Sequence, residues 1–241
     1  MRNKYKIAIF LAARSGSRRL PNKHFLKVNS KLRMIDLCVI RLKKAKLVKK
    51  IFLCTTKKKE DDKFKNVCKL HKIKLFRGST NNVAKRIIDC AEKNYIKTII
   101  RITADCPIID PKIIDECIKL HFYKNSDYTS NTLKPTFPDG LDVEIMNLDT
   151  LIKSQKISTS KYNKEHVTFF IRKSKLFKKN NYNNNINYSN RRWTLDNLKD
   201  YLFLKKVAKY FWPKIYFSWT DLIKAEKIDK SLINIKERFS E

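Results

Sequence analysis

The chain has 241 residues and sets 55 Lys and Arg against 23 Asp and Glu, a formal net charge of +32. Such an excess favours anionic partners but does not choose among nucleotides, phosphosugars, nucleic acid and acidic lipid. Hydrophobic residues at 42% and aromatics at 11% remove the low-hydrophobicity half of the disorder signature, so the chain is expected to fold. A chain this long can bury roughly 70–75% of its unfolded surface, enough for one sizeable core, and a single domain over residues 1–241 is expected. The longest apolar run, Ile7 to Ala13, is strand length and well short of the about 18 residues that span a bilayer, so no membrane insertion is expected. No small-residue cleavage pattern follows the basic start, and no export is implied. Cys38, Cys54, Cys68, Cys90, Cys106 and Cys117 lie far apart without a CxxC pair; they offer no zinc cluster and read as reduced core residues of a cytoplasmic protein.

In chain order, β-branched runs alternate with amphipathic stretches. The pattern predicts a strand at Lys6–Leu11, a helix at Met34–Ala45, a strand at Lys50–Thr55, a helix at Glu60–His71 and a strand at Ile73–Phe76. A helix at Asn82–Lys93, a strand at Thr98–Ile102 and a helix at Pro111–Phe122 follow. Fully apolar strands separated by helices indicate an α/β fold, a mostly parallel twisted sheet covered on both faces. Beyond Asp127 the pattern loosens: strands near Tyr128 and at Leu141–Met146, helices at Asn147–Gln155 and Lys164–Arg172, an Asn-rich loop over 180–190, a helix at Leu198–Tyr210 and a basic tail from Lys224.

Only three glycines remain in the chain, so each is expected where a side chain or an ordinary φ angle cannot be accommodated. Gly16 lies in Ala12-Ala13-Arg14-Ser15-Gly16-Ser17-Arg18-Arg19-Leu20-Pro21-Asn22-Lys23, directly after the first strand, where an open α/β sheet places its ligand crevice. Small residues there let backbone N–H groups approach phosphate oxygens while Arg14, Arg18, Arg19 and Lys23 supply positive charge; a basic surface turn is the alternative. The loop is neither GxGxxG nor GxxxxGK[ST], which argues against a dinucleotide oxidoreductase and a P-loop ATPase. Gly78, in Phe76-Arg77-Gly78-Ser79, precedes a helix amino end that suits a phosphate or base edge, or is simply a strand-to-helix turn. Gly140 falls in Pro138-Asp139-Gly140, strong turn chemistry, and is followed by Asp142 and Glu144 on one strand face. No DNA- or RNA-binding motif is present, and the dispersed lysines read mainly as solvated faces.

Together AARSGSRRLPNK, FRGS, RITADCPIIDP, DYTSN, FPDGLDVE, EHVTFFI and RRWTLDN, in this order from about Ile7 to Tyr201, resemble the cytidylyltransferases of the spore-coat polysaccharide biosynthesis type. More distantly they are similar to the enzymes that activate 3-deoxy-manno-octulosonate and N-acetylneuraminate as CMP-sugars. The resemblance implies a nucleotide-diphospho-sugar-transferase-like, Rossmann-like three-layer fold, CTP as the nucleotide, Mg2+ as cofactor, a small anionic or sugar acceptor and commonly a homodimer. By position it assigns Ala12, Ala13, Arg14, Gly16, Ser17, Arg19, Lys23, Gly78 and Asp105 to the nucleotide, with Arg14, Lys23 and Asp105 catalytic. Asp105 and Asp196 would hold the metal, and Asp142, Glu144, Glu165, His166 and Arg192 would face the acceptor. Asp196 has an alternative as a helix cap and His166 as a packed or surface histidine. The chain departs from the family's usual pattern mildly at Ala104, before the metal aspartate, and at Asn81-Asn82 and Phe170, in the base and acceptor regions. The expected activity is CMP transfer with pyrophosphate release in cell-surface polysaccharide biosynthesis; a basic nucleic-acid-binding protein and a non-catalytic nucleotide-binding subunit are the other classes.

Overall fold

The computed structural model describes residues 6–236. Four strands, β1 (Ile7–Ala12), β2 (Ile51–Thr56), β3 (Lys74–Gly78) and β4 (Thr98–Thr103), pair in parallel in the order β3-β2-β1-β4. β6 (Glu144–Asn147) adds antiparallel to β4, and β5 (Tyr128–Ser130) and β7 (Lys179–Asn181) complete a seven-stranded, mostly parallel sheet. The helices are α1 (Met34–Leu42), α2 (Phe64–His71), α3 (Val83–Lys93), α4 (Pro111–Tyr123) and α5 (Leu148–Ile157), then α6 (Lys161–His166), α7 (Phe169–Lys173), α8 (Leu198–Phe211) and α9 (Trp219–Ile228).

The period of two along each strand divides the core. Ile7, Ile9 and Leu11 of β1 pack on the side covered by α1, α2, α4, α8 and α9, while Ala8 and Phe10 face α3, α5 and α7. Phe10 meets Phe52 across the β1–β2 ladder, ring centroids 5.5 Å apart. All six cysteines are free and buried, Cys54 and Cys90 in the second layer and Cys38, Cys68, Cys106 and Cys117 in the first. No described helix is long and apolar enough to cross a membrane.

Because β1–β4 are parallel, Ala12, Thr56, Gly78 and Thr103 all finish at one edge. The chain departs from β1 in one direction through β2 and β3 and returns on its other side with β4. This reversal opens a crevice between the β1 and β4 loops, the usual ligand position in such sheets.

Several expectations need correction. The helix expected over Lys164–Arg172 is two short helices broken at Val167, whose φ of 57° and ψ of −58° form a γ-turn closed by the Thr168 N–H on the His166 carbonyl at 2.6 Å. The helix expected from Glu60 starts at Phe64, after a 3-10 turn at Lys59–Asp61. The strand expected from Leu141 starts at Glu144, because the Asn131 side chain, not a strand, satisfies the backbone there: its amide donates to the Leu141 carbonyl (2.8 Å) and its oxygen accepts from Val143 N–H (2.9 Å). β7 takes up the first two residues of the Asn-rich segment expected to be a loop. The basic tail expected from Lys224 begins as the second half of α9, where Ala225 and Glu226 are buried, and continues through a 3-10 turn at Lys230–Leu232; its residues 237–241 lie outside the described ones.

Candidate active site

The loop after β1 is shaped by a carboxylate from its neighbour strand's loop. Asp61, buried after β2, accepts from Ser15 N–H at 2.7 Å, from Thr56 N–H at 3.2 Å and from the Thr56 hydroxyl, and the Ser15 hydroxyl donates to the Glu60 carbonyl at 3.1 Å. Burial pushes the Asp61 carboxyl up, but the hydrogen bonds from Thr56 and Ser15 outweigh it and hold it below the ordinary carboxylate range. Gly16 has an ordinary φ, and a Cβ there would sit 3.4 Å from Glu60 Oε1, ordinary contact distance. The bend therefore rests on Asp61 and not on glycine freedom, which corrects the expectation for Gly16. Gly140 does meet it: φ is +103° and a Cβ would lie 2.5 Å from the Trp193 carbonyl carbon. At Gly78 the space is taken by Arg86, whose guanidinium donates to the Ser79 carbonyl at 2.9 and 2.6 Å and so orders the turn into α3.

Arg14 and Gly16 line a cleft of about 710 Å3 with Asp61, Ser79, Asn82 and Lys161, a volume in the range of small-molecule sites. Arg14, Lys58, Lys85, Lys161 and Lys164 face Glu60, Asp61 and Glu165 there, so cations prevail. Arg14 reaches across to Glu165 at 3.1 Å, an exposed pair that ties the β1 loop to α6.

Deeper, at the β1/β4 crevice, Lys23 Nζ stands 3.4 Å from Asp105 Oδ2 and 3.4 Å from Asp196 Oδ1. Lys23 is buried, held by the 3-10 turn Lys23–Phe25. Arg19 pairs with Asp196, and Arg192 lies 3.8 Å from it. The β4 loop and the segment before α8 are stitched together: Leu195 N–H and the Thr194 hydroxyl both donate to the Asp105 carbonyl, at 2.7 and 3.2 Å. Burial alone would raise the Asp105 carboxyl; the Lys23 ammonium, with the Thr103 hydroxyl, overrides it and keeps the group ionised. Burial, with Lys23 beside it, lowers the His24 imidazole to about 4, so that side chain is neutral at pH 7. Asp196 does not cap α8. Asn197 does so, in a reciprocal pair with Asp200, leaving the Asp196 carboxylate for the cations.

A second cleft of about 320 Å3 lies on the β4–β6 side, lined by Arg101, Thr103, Asn131, Asp142, Thr168 and Arg172, among others. Glu144 also reaches it but is engaged: it pairs with Arg101 and accepts from the Thr168 hydroxyl and from the Tyr128 hydroxyl at 2.6 Å. Arg101 Nε is buried without a hydrogen-bond partner. Burial, reinforced by Asp139, Glu144 and Asp105, pushes the Asp142 carboxyl up to about 7. Arg192 connects the two centres, 3.6 Å from Asp139 of this cleft while bound two-pronged to Asp200 at 2.8 and 2.9 Å.

A model of the family described as Cytidylyltransferase matches residues 8–232. The chain belongs to the cytidylyltransferase family. An uncharacterised protein of Methanocaldococcus jannaschii is 32% identical over 209 residues, 86% of this cytidylyltransferase and 84% of the relative. The spore coat polysaccharide biosynthesis protein SpsF of Bacillus subtilis is 33% identical over 172 residues, 69% and 70% of the two chains. The solved structure of a cytidylyltransferase from Leptospira borgpetersenii matches with a TM-score of 0.92 at 33% identity, covering 98% of this chain and 99% of that one. A CMP:2-keto-3-deoxy-manno-octonic acid synthetase, solved with CTP, shares the fold at 11% identity, with a TM-score of 0.62 over 85% of this chain and 98% of that one.

In this cytidylyltransferase the fold brings together Arg19, Lys23, Asp105, Asp196 and Arg192 at one centre, and Arg14, Gly16 and Glu165 at the first cleft. Ala12, the last residue of β1, and Ser17 in the loop after it are partly exposed, whereas Ala13 is buried core. Gly78 is buried behind the turn it permits. Asp142 and Glu144 line the second cleft, but His166 is exposed and packs at a tilt on Tyr162, ring centroids 4.1 Å apart, away from the lining of either cleft. Sequence reasoning missed Asp61, Arg101, Asn131 and Thr168. Asp61 sits in the run Lys57-Lys58-Lys59-Glu60-Asp61-Asp62, which looks like solvated charge; Asn131 and Thr168 fall inside DYTSN and EHVTFFI and were legible there.

Proposed function

We propose that this cytidylyltransferase moves CMP from CTP onto a small acceptor carrying an anionic group, a sugar acid or sugar phosphate, and releases pyrophosphate. The observation that carries the proposal is the centre at the β1/β4 crevice, where Asp105 and Asp196 converge on Lys23 with Arg19 and Arg192 around them. Two carboxylates on one buried ammonium are a costly arrangement for structure alone, and suited to a polyanion with a hard cation. No three His, Cys, Asp or Glu side chains cluster as a closed metal cage among the described residues. Two oxygen ligands with places left for phosphate and water fit Mg2+, which rarely takes an all-protein cage. Asp105 and Asp196 would hold it, and when bound it supplies Lewis-acid polarisation of the phosphate.

An acceptor oxygen attacks the α-phosphorus in line, the new P–O bond forms, and the bond to the β-phosphate oxygen breaks. Arg14, Arg19 and Lys23 neutralise the departing pyrophosphate, electrostatic work done by preplaced cations. Arg101 and Arg172, both lining the second cleft, favour an acceptor with a carboxylate or phosphate there. The name of the Bacillus relative supports a place in cell-surface polysaccharide synthesis. A pyrophosphate-release assay with each NTP and Mg2+ across sugar acids, sugar phosphates and phosphonates tests the reading. Asp105→Asn should lower the rate about a thousandfold with the fold retained in circular dichroism; wild-type release by this variant overturns it.

A further inference from the structure

The solvent face of α8 sets two exposed leucines in line with a row of lysines. Leu198 and Leu202 are exposed at 59% and 55%, one helical turn apart, and Lys205, Lys206 and Lys209 continue the same face. Lys199 flanks it, and the helix ends in exposed Tyr210 and Trp212. The one acidic residue of α8, Asp200, is buried and engaged by Arg192, so no acidic side chain is exposed on this helix. Asp229, the residue after α9, carries a carboxyl held down by its Ser231 hydrogen bonds, with a smaller contribution from the Lys206 ammonium.

We propose that this face of α8 is a docking surface for an anionic lipid bilayer. Interleaved lysine and leucine with terminal tyrosine and tryptophan is the composition of a helix lying in a membrane interface, apolar groups entering the headgroup region and ammonium groups meeting lipid phosphates. A second copy of the chain does not fit: a two-fold contact through α8 would set the same lysines against each other. Nucleic acid would satisfy the lysines but leave both leucines in water. The helix begins two residues after Asp196, so docking would hold the catalytic crevice at the membrane surface.

The test is co-sedimentation of the full chain with vesicles of phosphatidylglycerol and phosphatidylcholine, against pure phosphatidylcholine. Binding to the anionic vesicles that weakens with salt, and that falls about tenfold in Leu198→Ser/Leu202→Ser and in Lys205→Gln/Lys206→Gln, is expected. These exposed positions lie outside the catalytic centre, so melting temperature and CTP binding should stay at wild-type values in both variants. No sedimentation, or sedimentation unmoved by the leucine changes, overturns the proposal. So does retention on duplex DNA with no vesicle binding, or a dimer in light scattering that the leucine variant dissociates.

Discussion

Two ion pairs of the same chemistry guard the two clefts, and their burial is opposite. Arg14–Glu165 at the first cleft is half-exposed on both sides, whereas Arg101–Glu144 at the second has side chains only 17% and 7% accessible and shares Glu144 with two hydroxyls. An exposed pair in high dielectric contributes about 0–1 kcal/mol and exchanges readily with another anion. A buried pair resists separation, because removing one partner strands a charge at about 3–5 kcal/mol. The difference sets a first cleft whose pair can open to an incoming anion against a second whose pair is fixed before any ligand arrives.

The largest effect should come from breaking the buried pair: Glu144→Ala is expected to lose about 3–5 kcal/mol in denaturant unfolding, and a loss below 1 kcal/mol would dissolve the contrast. Asp142 in the same cleft comes next, and its sign runs the other way. Below about pH 4 folded and unfolded chains both keep this proton; between the ordinary 3.8 and about 7 the unfolded chain releases it while the folded chain holds it. Its contribution to stability therefore falls as pH rises through that window, and Asp142→Asn should be more stable than wild type by roughly 4 kcal/mol at pH 8 and equal to it at pH 4. Melting curves at the two pH values decide this.

Between the clefts, the Val167 γ-turn carries Glu165 on one side and Thr168 on the other, one at each cleft. A buried β-branched residue at positive φ is strained. Val167→Gly should thus unfold at higher denaturant than Val167→Ala, reversing the usual order, by about 1 kcal/mol; the normal order would remove the turn from the account. The smallest effect is reserved for the exposed pair: Glu165→Gln should change stability by less than about 1 kcal/mol while tightening CTP binding a few-fold in calorimetry, since Arg14 is released for phosphate.

The parallel half of the sheet was legible because strands buried on both faces must be continuously apolar, as Ile51-Phe52-Leu53 is. The centre at the β1/β4 crevice was legible by motif, its cations and acids lying near strand ends that the topology gathers. What failed failed for tertiary reasons. The break at Val167 interrupts a segment whose own pattern is helical, and it is held by partners elsewhere: Asn163 Oδ1 accepts from Phe170 N–H at 3.1 Å and Thr168 is bound to Glu144. Asp61 acts on a loop 46 residues away, which no local pattern announces. The amino end of α9 is different. Ser218-Trp219-Thr220-Asp221 is a capping box written in the sequence, with Ser218 and Asp221 exchanging hydrogen bonds at 2.8 and 3.1 Å, and it was there to be seen.

The six sequestered thiols give this chain a set of native clocks. Burial pushes the thiols of Cys38, Cys54, Cys68, Cys106 and Cys117 up, so in the closed state they are neither accessible nor ionised for alkylation. A thiol reagent then reports only the moments when a layer parts from the sheet. Alkylation of Cys54 and Cys90 times the opening of one helical layer, and alkylation of the other four times the opposite one, with no engineered label.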